Sequence, residues 1–224
     1  MYAKHTPNLL LFGLCCLLVA CAPSRYVRPL AQGEKAAQVT YGGAIFKNFG
    51  LPIPTPFITV GGAYGITEST TAFANWNATS ALFGTIQLDL GASHGFLKPK
   101  GWRPGLSASA TANMAMDIHQ GQFKLWPQID ANAYWEYGQR KHFAYFGAST
   151  WWEPRAFAHP DEPGIQMVLP GLQFGNTLAG KTIDKTIEFK WNNFSMPNRD
   201  AVIDWAGYFG HGSIGIHLGI IKRF

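Results

Sequence analysis

Five ionisable residues occupy positions from which they could select ions or hold a polar ligand inside a β-structure: Asp89, Asp130, Glu136, Glu188 and Lys190. Each lies on the polar side of a segment in which apolar and polar residues alternate. Asp130 and Glu136 are six residues apart on one such segment, which puts both carboxylates on the same face of a strand. Buried charges in a narrow barrel must be paired, so we expect Lys190 to contact a carboxylate. The functional alternative is that the five residues line a small polar pore or ligand pocket.

A second candidate is the tripeptide His211-Gly212-Ser213, in which the imidazole could act as a base for the serine hydroxyl. It resembles the His-x-Ser arrangement of outer-membrane lipid A deacylases, in which Ser is the nucleophile and His the base. The resemblance implies an enzyme that acts on envelope lipid. We place both side chains on the inward strand face, away from lipid, and no carboxylate lies beside them in the sequence. We therefore predict a glycine-rich strand entry with a solvated His, no catalytic residues and no enzyme.

The remaining composition argues against other kinds of chemistry. The seven histidines are scattered, and neither His142 nor His159 has a partner at metal-ligand spacing, so no metal or cofactor is expected. The net charge of +5 comes from basic residues spread along the chain, which excludes the clustered Lys and Arg of a nucleic-acid footprint. This modest positive balance favours contact with anionic lipid headgroups.

The first twenty residues are predicted to be an export signal. Lys4 supplies a positive start, and the apolar run over 9–20 is too short to span a membrane. The run ends in Leu18-Val19-Ala20-Cys21, which resembles the lipobox of bacterial lipoproteins. The resemblance implies that residues 1–20 are a lipoprotein signal peptide, removed after the cysteine thiol receives a diacylglycerol. It also implies that the new amine is acylated with a fatty acid such as palmitate.

Acylation of Cys21 sets the expected domain organisation: a lipidated polar tether over 21–35 and a β-barrel domain over 36–224. Cys15 and Cys16 fall within the signal, so the mature chain keeps no thiol for a disulfide, a metal or a nucleophile. No Asp follows Cys21, which by the same resemblance favours the outer membrane over retention in the inner membrane. The alternative is an ordinary secretory signal cut near Ala22, with Cys21 incidental.

Alternation with a period of two dominates the rest of the chain and predicts strands. Over 106–114 every even position is apolar and every odd position is a small polar residue. A single-chain bacterial barrel has an even number of strands, so nine segments mean that one is missed, within 25–34 or 69–78, or that one is wrong. Chain length slightly favours ten strands over eight. The nine predicted segments lie near 37–46, 57–67, 80–92, 104–118, 122–137, 141–152, 165–175, 183–194 and 207–223.

Three features favour a membrane-embedded barrel over a soluble sandwich or lipocalin-like barrel, whose apolar face would point inward. The polar residues of the strands are mostly short and uncharged, whereas solvated strand faces carry more Lys and Glu. The chain stops at Phe224, which resembles the terminal aromatic signal of outer-membrane proteins read by the barrel-assembly machinery, although Lys222 departs from it. Several aromatic residues lie near predicted strand ends, as an interfacial girdle would: Trp102, Trp126, Tyr137, Trp151, Trp152 and Trp205.

The sequence therefore predicts an all-β protein, an antiparallel up-and-down β-barrel of eight to ten strands in the bacterial outer membrane. Its expected role is structural, interactive or in the passage of a small solute. Its expected partners are membrane lipid, through acylated Cys21, and other envelope proteins. The alternative is a lipid-tethered soluble β-barrel that binds a lipid or another hydrophobic ligand, and the third hypothesis is an envelope lipid hydrolase.

Overall fold

A computed structural model describes residues 26–48, 51–154, 166–198 and 205–224. The predicted signal peptide and Cys21 lie outside the described residues. Eleven strands and one short helix, α1 (Ala78–Leu82), make up the regular structure of the described chain. The strands are β1 (Lys35–Asn48), β2 (Leu51–Pro54), β3 (Ile58–Gly65), β4 (Thr70–Asn77), β5 (Thr85–Leu97), β6 (Gly105–Asp117), β7 (Phe123–Tyr137), β8 (His142–Trp152), β9 (Val168–Leu178), β10 (Ile183–Pro197) and β11 (His211–Arg223).

Ten of these strands form a closed antiparallel barrel. From β3 to β11 each strand pairs with the next along the chain, and β1 pairs with both β3 and β11. The closing seam runs in register from Ala36 opposite Arg223 to Ala44 opposite Gly215. The short β2 pairs antiparallel with the end of β1 and is not one of the ten strands of the barrel. The predicted up-and-down barrel is confirmed, with ten strands, the upper value of the predicted range.

The strand missing from the nine predicted segments is β4, and it lies in 69–78, one of the two places proposed for it. The other place, 25–34, forms no strand among its described residues. The segment predicted from residue 80 begins too early, because α1 occupies its first residues. Asn77 caps that helix through a hydrogen bond from the Ser80 backbone NH to its Oδ1, 3.1 Å long. Among the described residues, no helix is long and apolar enough to cross a membrane.

The barrel has its apolar residues outside and its polar residues inside. On β7, Ile129 is 47% exposed, whereas its neighbours Gln128 and Asp130 are each 2% exposed. The same alternation holds on β5 and β6, where leucines face outward and Ser, Thr and Asn side chains are buried. A soluble barrel would have the opposite arrangement, so the soluble alternative is wrong. An apolar outer band around a polar interior is the arrangement of a transmembrane β-barrel.

The two ends of the barrel differ. At the end where β1 begins and β11 ends, which we call the short-turn end, the strands are joined by compact turns over 66–69, 98–104, 138–141 and 179–182. The opposite end, which we call the loop end, carries the β2 hairpin, α1 and the connections over 118–122, 153–167 and 198–210. Short periplasmic turns and longer extracellular loops distinguish the two ends of outer-membrane barrels.

The predicted aromatic girdle is only partly correct. Tyr137 and Trp152 face outward at opposite ends of the barrel. Trp126 and Trp151 instead face the lumen and are 5% and 8% exposed. Each lies an even number of residues from the buried polar residues of its own strand, so it points to the same side of the sheet. Trp205 packs against a small cluster near the loop end and is not part of an outward belt.

Candidate functional site

The lumen of the barrel is the candidate site, because it collects the ionisable residues singled out by alternation. Asp130 lies at its centre on β7 and is held by two hydrogen bonds. Ser109 Oγ donates to one carboxylate oxygen over 3.0 Å, and Gln128 Nε2 donates to the other over 2.8 Å. Asn113 continues the chain by donating to Gln128 Oε1 over 3.1 Å. Strand alternation thus arranges polar side chains of β6 and β7 into one hydrogen-bonded layer.

Glu188 and Lys190 form the charged pair that the sequence predicted. Both lie on β10, two residues apart and on the same face, and their side chains are 2% and 4% exposed. Lys190 Nζ is 3.5 Å from Glu188 Oε1, and the Tyr145 hydroxyl donates to Glu188 Oε2 over 2.6 Å. The expected pairing of Lys190 with a carboxylate is therefore confirmed. The geometry favours a fixed structural pair, since both members are engaged and buried.

Asp89 is the third carboxylate that the sequence predicted in the lumen. It is 4% exposed on β5, opposite Asn113 of β6 on one side and Asn75 of β4 on the other. Asp89, Asp130 and Glu188 together outnumber Lys190, so the lumen carries an excess of carboxylates over ammonium groups among these four residues.

Glu136 occupies a different place from Asp130. Both lie on the inward face of β7, but Glu136 is at the rim of the short-turn end with its side chain 23% exposed. Six residues along a strand correspond to about 20 Å, so the two carboxylates do not share one site. Glu136 Oε1 is instead 3.1 Å from Arg28 Nη1.

Residues 26–30, which we call the stopper, lie within the mouth of the short-turn end. Tyr26, Val27 and Leu30 are each about 5–6% exposed, so they are as buried as core residues. The expected polar tether over 21–35 is therefore wrong over 26–30, while Ala31, Gln32 and Gly33 are exposed and residues 21–25 lie outside the described residues. Burial of its three apolar side chains in the mouth of the barrel explains why this segment leaves water.

Two apolar clusters inside the mouth hold the stopper. Tyr26 and Leu30 pack with Phe73 and Ala36 on one side of the lumen. On the other side Val27 packs with three aromatic residues of β7 and β8: Tyr134, Phe143 and Tyr145. Burial raises the pKa of the Tyr26 hydroxyl above its usual value, so the phenol stays neutral.

Hydrogen bonds fix the backbone of the stopper to the wall. The Leu30 backbone NH donates to Thr71 Oγ1 over 2.8 Å, and Ser107 Oγ donates to the Val27 carbonyl over 2.6 Å. Arg28 points to the rim, where its guanidinium donates to Glu136 and to the Lys141 carbonyl and lies 4.7 Å from the centre of the Phe143 ring. Neither periodicity nor a known motif singles out this segment. The sequence feature that could have marked it is the group of apolar residues on both sides of Arg28.

Small cavities remain at both ends of the packed lumen. At the short-turn end, one of about 90 Å³ lies beneath the stopper and is lined by Tyr26, Tyr145, Glu188 and His217 among others. Another of about 240 Å³ lies at the rim of that end and is lined by Arg28, Glu68, Lys98 and Glu136 among others. At the loop end, a cavity of about 120 Å³ lies beside Trp126 and Trp151. There Trp126 Nε1 donates to Glu153 Oε2 over 2.8 Å, which anchors the indole to the mouth of the barrel. Each cavity is large enough for a few water molecules.

The structure separates His211 from Ser213. The expected shared inward face is wrong, because His211 is exposed whereas Gly212 and Ser213 are both buried. Gly212 has a φ of +60°, which breaks the strand alternation between the two residues. His211 Nδ1 lies 2.9 Å from the Phe209 carbonyl oxygen, and Ser213 faces Asn192 across the β10–β11 ladder. The two side chains are thus not arranged as a base and a nucleophile.

No protein-family model and no curated protein sequence matches the chain. Solved structures similar to it include the translocator domain of the autotransporter NalP from Neisseria meningitidis, at 13% sequence identity and a TM-score of 0.47. That comparison covers 100% of this chain and 99% of the other. An outer membrane channel from Pseudomonas putida F1 is similar at 12% identity and a TM-score of 0.47, over 91% of this chain and 100% of the other. At these identities the likeness concerns the fold alone.

Proposed function

We propose that the protein is an outer-membrane lipoprotein whose barrel is closed to solutes and serves as a structural or interaction platform in the cell envelope. The observation that carries this proposal is the burial of the lumenal side chains. In a water-filled pore, polar residues of the inner wall are accessible to water. Here Gln128, Gln173 and Glu188 are among the most deeply buried side chains of the protein.

Hydrogen bonds between lumenal side chains link strands that are not neighbours in the sheet, which supports a fixed filling. Gln173 of β9 donates to Asn132 of β7 over 2.8 Å, two strands away. Gln38 of β1 donates to Asn75 of β4. The stopper adds apolar packing at the short-turn end. A barrel of ten strands is narrow enough for side chains to occupy most of its interior.

Ion conductance across planar bilayers tests whether the barrel is closed. We expect the full-length protein, reconstituted at neutral pH, to give no steady current. Insertion is verified on the same sample by the difference in electrophoretic mobility between boiled and unboiled protein, which a closed, detergent-resistant barrel produces. A stable ohmic conductance from protein that passes this check would overturn the proposal in favour of the passage of a small solute.

The lipid anchor at Cys21 belongs to the same proposal and rests on the lipobox sequence. Cys21 precedes Tyr26 by five positions, a reach of at most about 18 Å. Because Tyr26 lies in the mouth of the short-turn end, an acylated Cys21 would insert its chains into the leaflet at that end. Several acyl chains anchor a protein firmly, at about 0.8 kcal/mol for each buried methylene.

Metabolic labelling with an alkyne analogue of palmitate tests the anchor. We expect label in the wild-type protein and none in Cys21→Ser. Cys16→Ser is the matched control, because the predicted signal peptide contains that cysteine and the mature chain does not. Label that persists in Cys21→Ser would contradict the anchor without affecting the argument for a closed barrel.

We also propose that the protein is not an enzyme. The separation of His211 from Ser213 supports this, because a serine nucleophile needs a base within hydrogen-bond reach. Envelope lipids from cells that produce Ser213→Ala should carry the same acyl chains as those from cells that produce the wild type. A difference between the two would revive the hypothesis of a lipid hydrolase.

A further inference from the structure

The turn between β5 and β6 concentrates cationic and aromatic side chains in one exposed loop. Its sequence is Lys98-Pro99-Lys100-Gly101-Trp102-Arg103. Two backbone hydrogen bonds of 3.1 Å, each between an NH and a carbonyl of Lys100 and Arg103, close the turn. Trp102 at its tip is 96% exposed, and the three basic side chains are exposed as well. A turn fixed by its own hydrogen bonds thus exposes an indole and three cations at the rim of the barrel, where Lys98 also lines a cavity with Glu68 and Glu136.

This turn lies against the lipid-facing surface of the barrel. Trp135, which faces outward on β7, donates its Nε1 hydrogen to the Trp102 carbonyl over 3.2 Å. Phe96, the last outward residue before the turn on β5, is 69% exposed. Trp135 and Phe96 mark the level at which the apolar band ends, so the turn is at the depth of the lipid headgroups. Indole side chains concentrate at this depth in membrane proteins, because one part of the ring system is apolar and the NH is polar.

The turn belongs to a short-turn end that is strongly basic. The described residues at the loop end include two basic residues, Lys47 and Lys124, and two acidic residues, Asp117 and Glu153. At the short-turn end, the acidic residue Glu68 is exposed. The exposed basic residues of that end are Lys35, Lys98, Lys100, Arg103, Arg140, Lys141, Lys181, Lys185 and Lys222. Basic residues beside a membrane surface attract anionic lipids.

We propose that the turn over 98–103 binds the headgroups of anionic phospholipids. Lys98, Lys100 and Arg103 contact the phosphate groups, and Trp102 inserts its ring at the level of the glycerol backbone. An anionic lipid fits better than an acidic protein, because Trp135 holds the turn against the lipid-facing wall, where lipid phosphates already are. The selectivity for anionic headgroups comes from the number of cations within one short turn.

Fluorescence quenching by brominated lipids tests the proposal in the intact barrel. Full-length protein is placed in phosphatidylcholine nanodiscs that contain the same minor fraction of either dibrominated phosphatidylglycerol or dibrominated phosphatidylcholine. Trp102 is isolated as the difference between the wild type and Trp102→Phe. Both leaflets of a nanodisc have the same composition, so the result does not depend on the orientation of the barrel. We expect brominated phosphatidylglycerol to quench Trp102 severalfold more than brominated phosphatidylcholine does.

The charge of the turn is then removed in the variant Lys98→Gln/Lys100→Gln/Arg103→Gln. We expect the two lipids to quench Trp102 equally in this variant, since the indole stays at the interface but the preference is lost. Lys181→Gln/Lys185→Gln removes charge elsewhere on the same end and should keep the preference. Equal quenching in the wild type, an unchanged preference in the triple variant or an unquenched Trp102 would each overturn the proposal. All substituted positions are exposed, and boiled and unboiled mobility shows that each variant is a folded barrel.

Discussion

At the scale of single residues, the lumen depends on charges that are buried and therefore must be satisfied. Glu188 receives a hydrogen bond from Tyr145 and an ion pair from Lys190, and both charged side chains are at most 4% exposed. Removing one charge of a buried pair leaves the other without compensation, whereas replacing both is tolerated far better. The stability of variants at this pair therefore reports whether water reaches the lumen.

Lys190→Met should lower the free energy of unfolding by about 3–5 kcal/mol, because it leaves the Glu188 carboxylate in a low-dielectric site without its nearest cation. Urea unfolding of the barrel in lipid vesicles, followed by tryptophan fluorescence, measures the change. The double variant Glu188→Gln/Lys190→Met should recover most of the loss. If Lys190→Met were as stable as the wild type, water would reach this pair and the lumen would not be closed.

Arg28 is a second test at this scale, because it ties the stopper to the rim through Glu136. The two side chains are 22% and 23% exposed, so solvent screens their attraction. A double-mutant cycle with Arg28→Gln and Glu136→Gln should give a coupling energy of about 0.2–1 kcal/mol. Arg28→Gln should also speed hydrogen exchange of the Leu30 amide, which donates to Thr71. Unchanged exchange at Leu30 would mean that the apolar clusters hold the stopper without the ion pair.

At the scale of elements, closure of the barrel depends on the seam between β1 and β11. Gly42 lies in that seam with a φ of +133°, and a Cβ there would be 2.0 Å from the Ile216 carbonyl oxygen. Gly42→Ala should therefore prevent closure and abolish the heat-dependent change in electrophoretic mobility. Gly62→Ala on β3 is the matched control, since its Cβ would meet no atom closer than 3.4 Å. Loss of the mobility change in both variants would show that the barrel cannot accept a methyl group at either position. The effect of Gly42→Ala would then not be specific to the seam between β1 and β11.

Alternation predicted most strands and their faces because the lipid-facing residues of β5, β6 and β7 are apolar and the lumenal ones are small and polar. It missed β4 because one residue of that strand departs from the pattern. The apolar Phe73 faces the lumen between the polar residues Thr71 and Asn75, while the outer face carries two small residues, Ala72 and Ala74, beside Trp76. The reason is the stopper: the Phe73 ring packs 6.2 Å from the Tyr26 ring.

The candidate site was predictable in part for the same reason. Parity placed Asp89, Asp130, Glu188 and Lys190 on the inner wall correctly, since a strand fixes the side of every residue. Parity does not fix depth, so it could not separate the rim position of Glu136 from the centre. It also cannot place an irregular segment, and the stopper was therefore expected to be a tether. Its apolar residues are buried by β4, β7 and β8, which are distant in sequence.

At the scale of the whole molecule, the two ends of the barrel are chemically different. The short-turn end combines the stopper, the start of the barrel domain and most of the exposed basic residues of the described chain, whereas the loop end carries the two longest connections, over 153–167 and 198–210. If Cys21 is acylated, its chains enter the same leaflet that the basic turn over 98–103 contacts. Anchor, stopper and lipid contacts would then act together to fix the barrel in one orientation.

The apolar outer band sets the depth of the barrel, and arginine substitutions at different heights measure it. Ile129 lies near the middle of β7 and faces lipid, so Ile129→Arg should lower stability by about 2–4 kcal/mol and reduce insertion. Leu106 also faces outward but lies one residue from the short-turn end of β6, so Leu106→Arg should cost only about 0–1 kcal/mol. Unfolding in vesicles measures both values, and the fraction of protein recovered in the membrane measures insertion. Equal effects at the two positions would mean that the outer surface does not cross a bilayer, because a protein core has no such dependence on height.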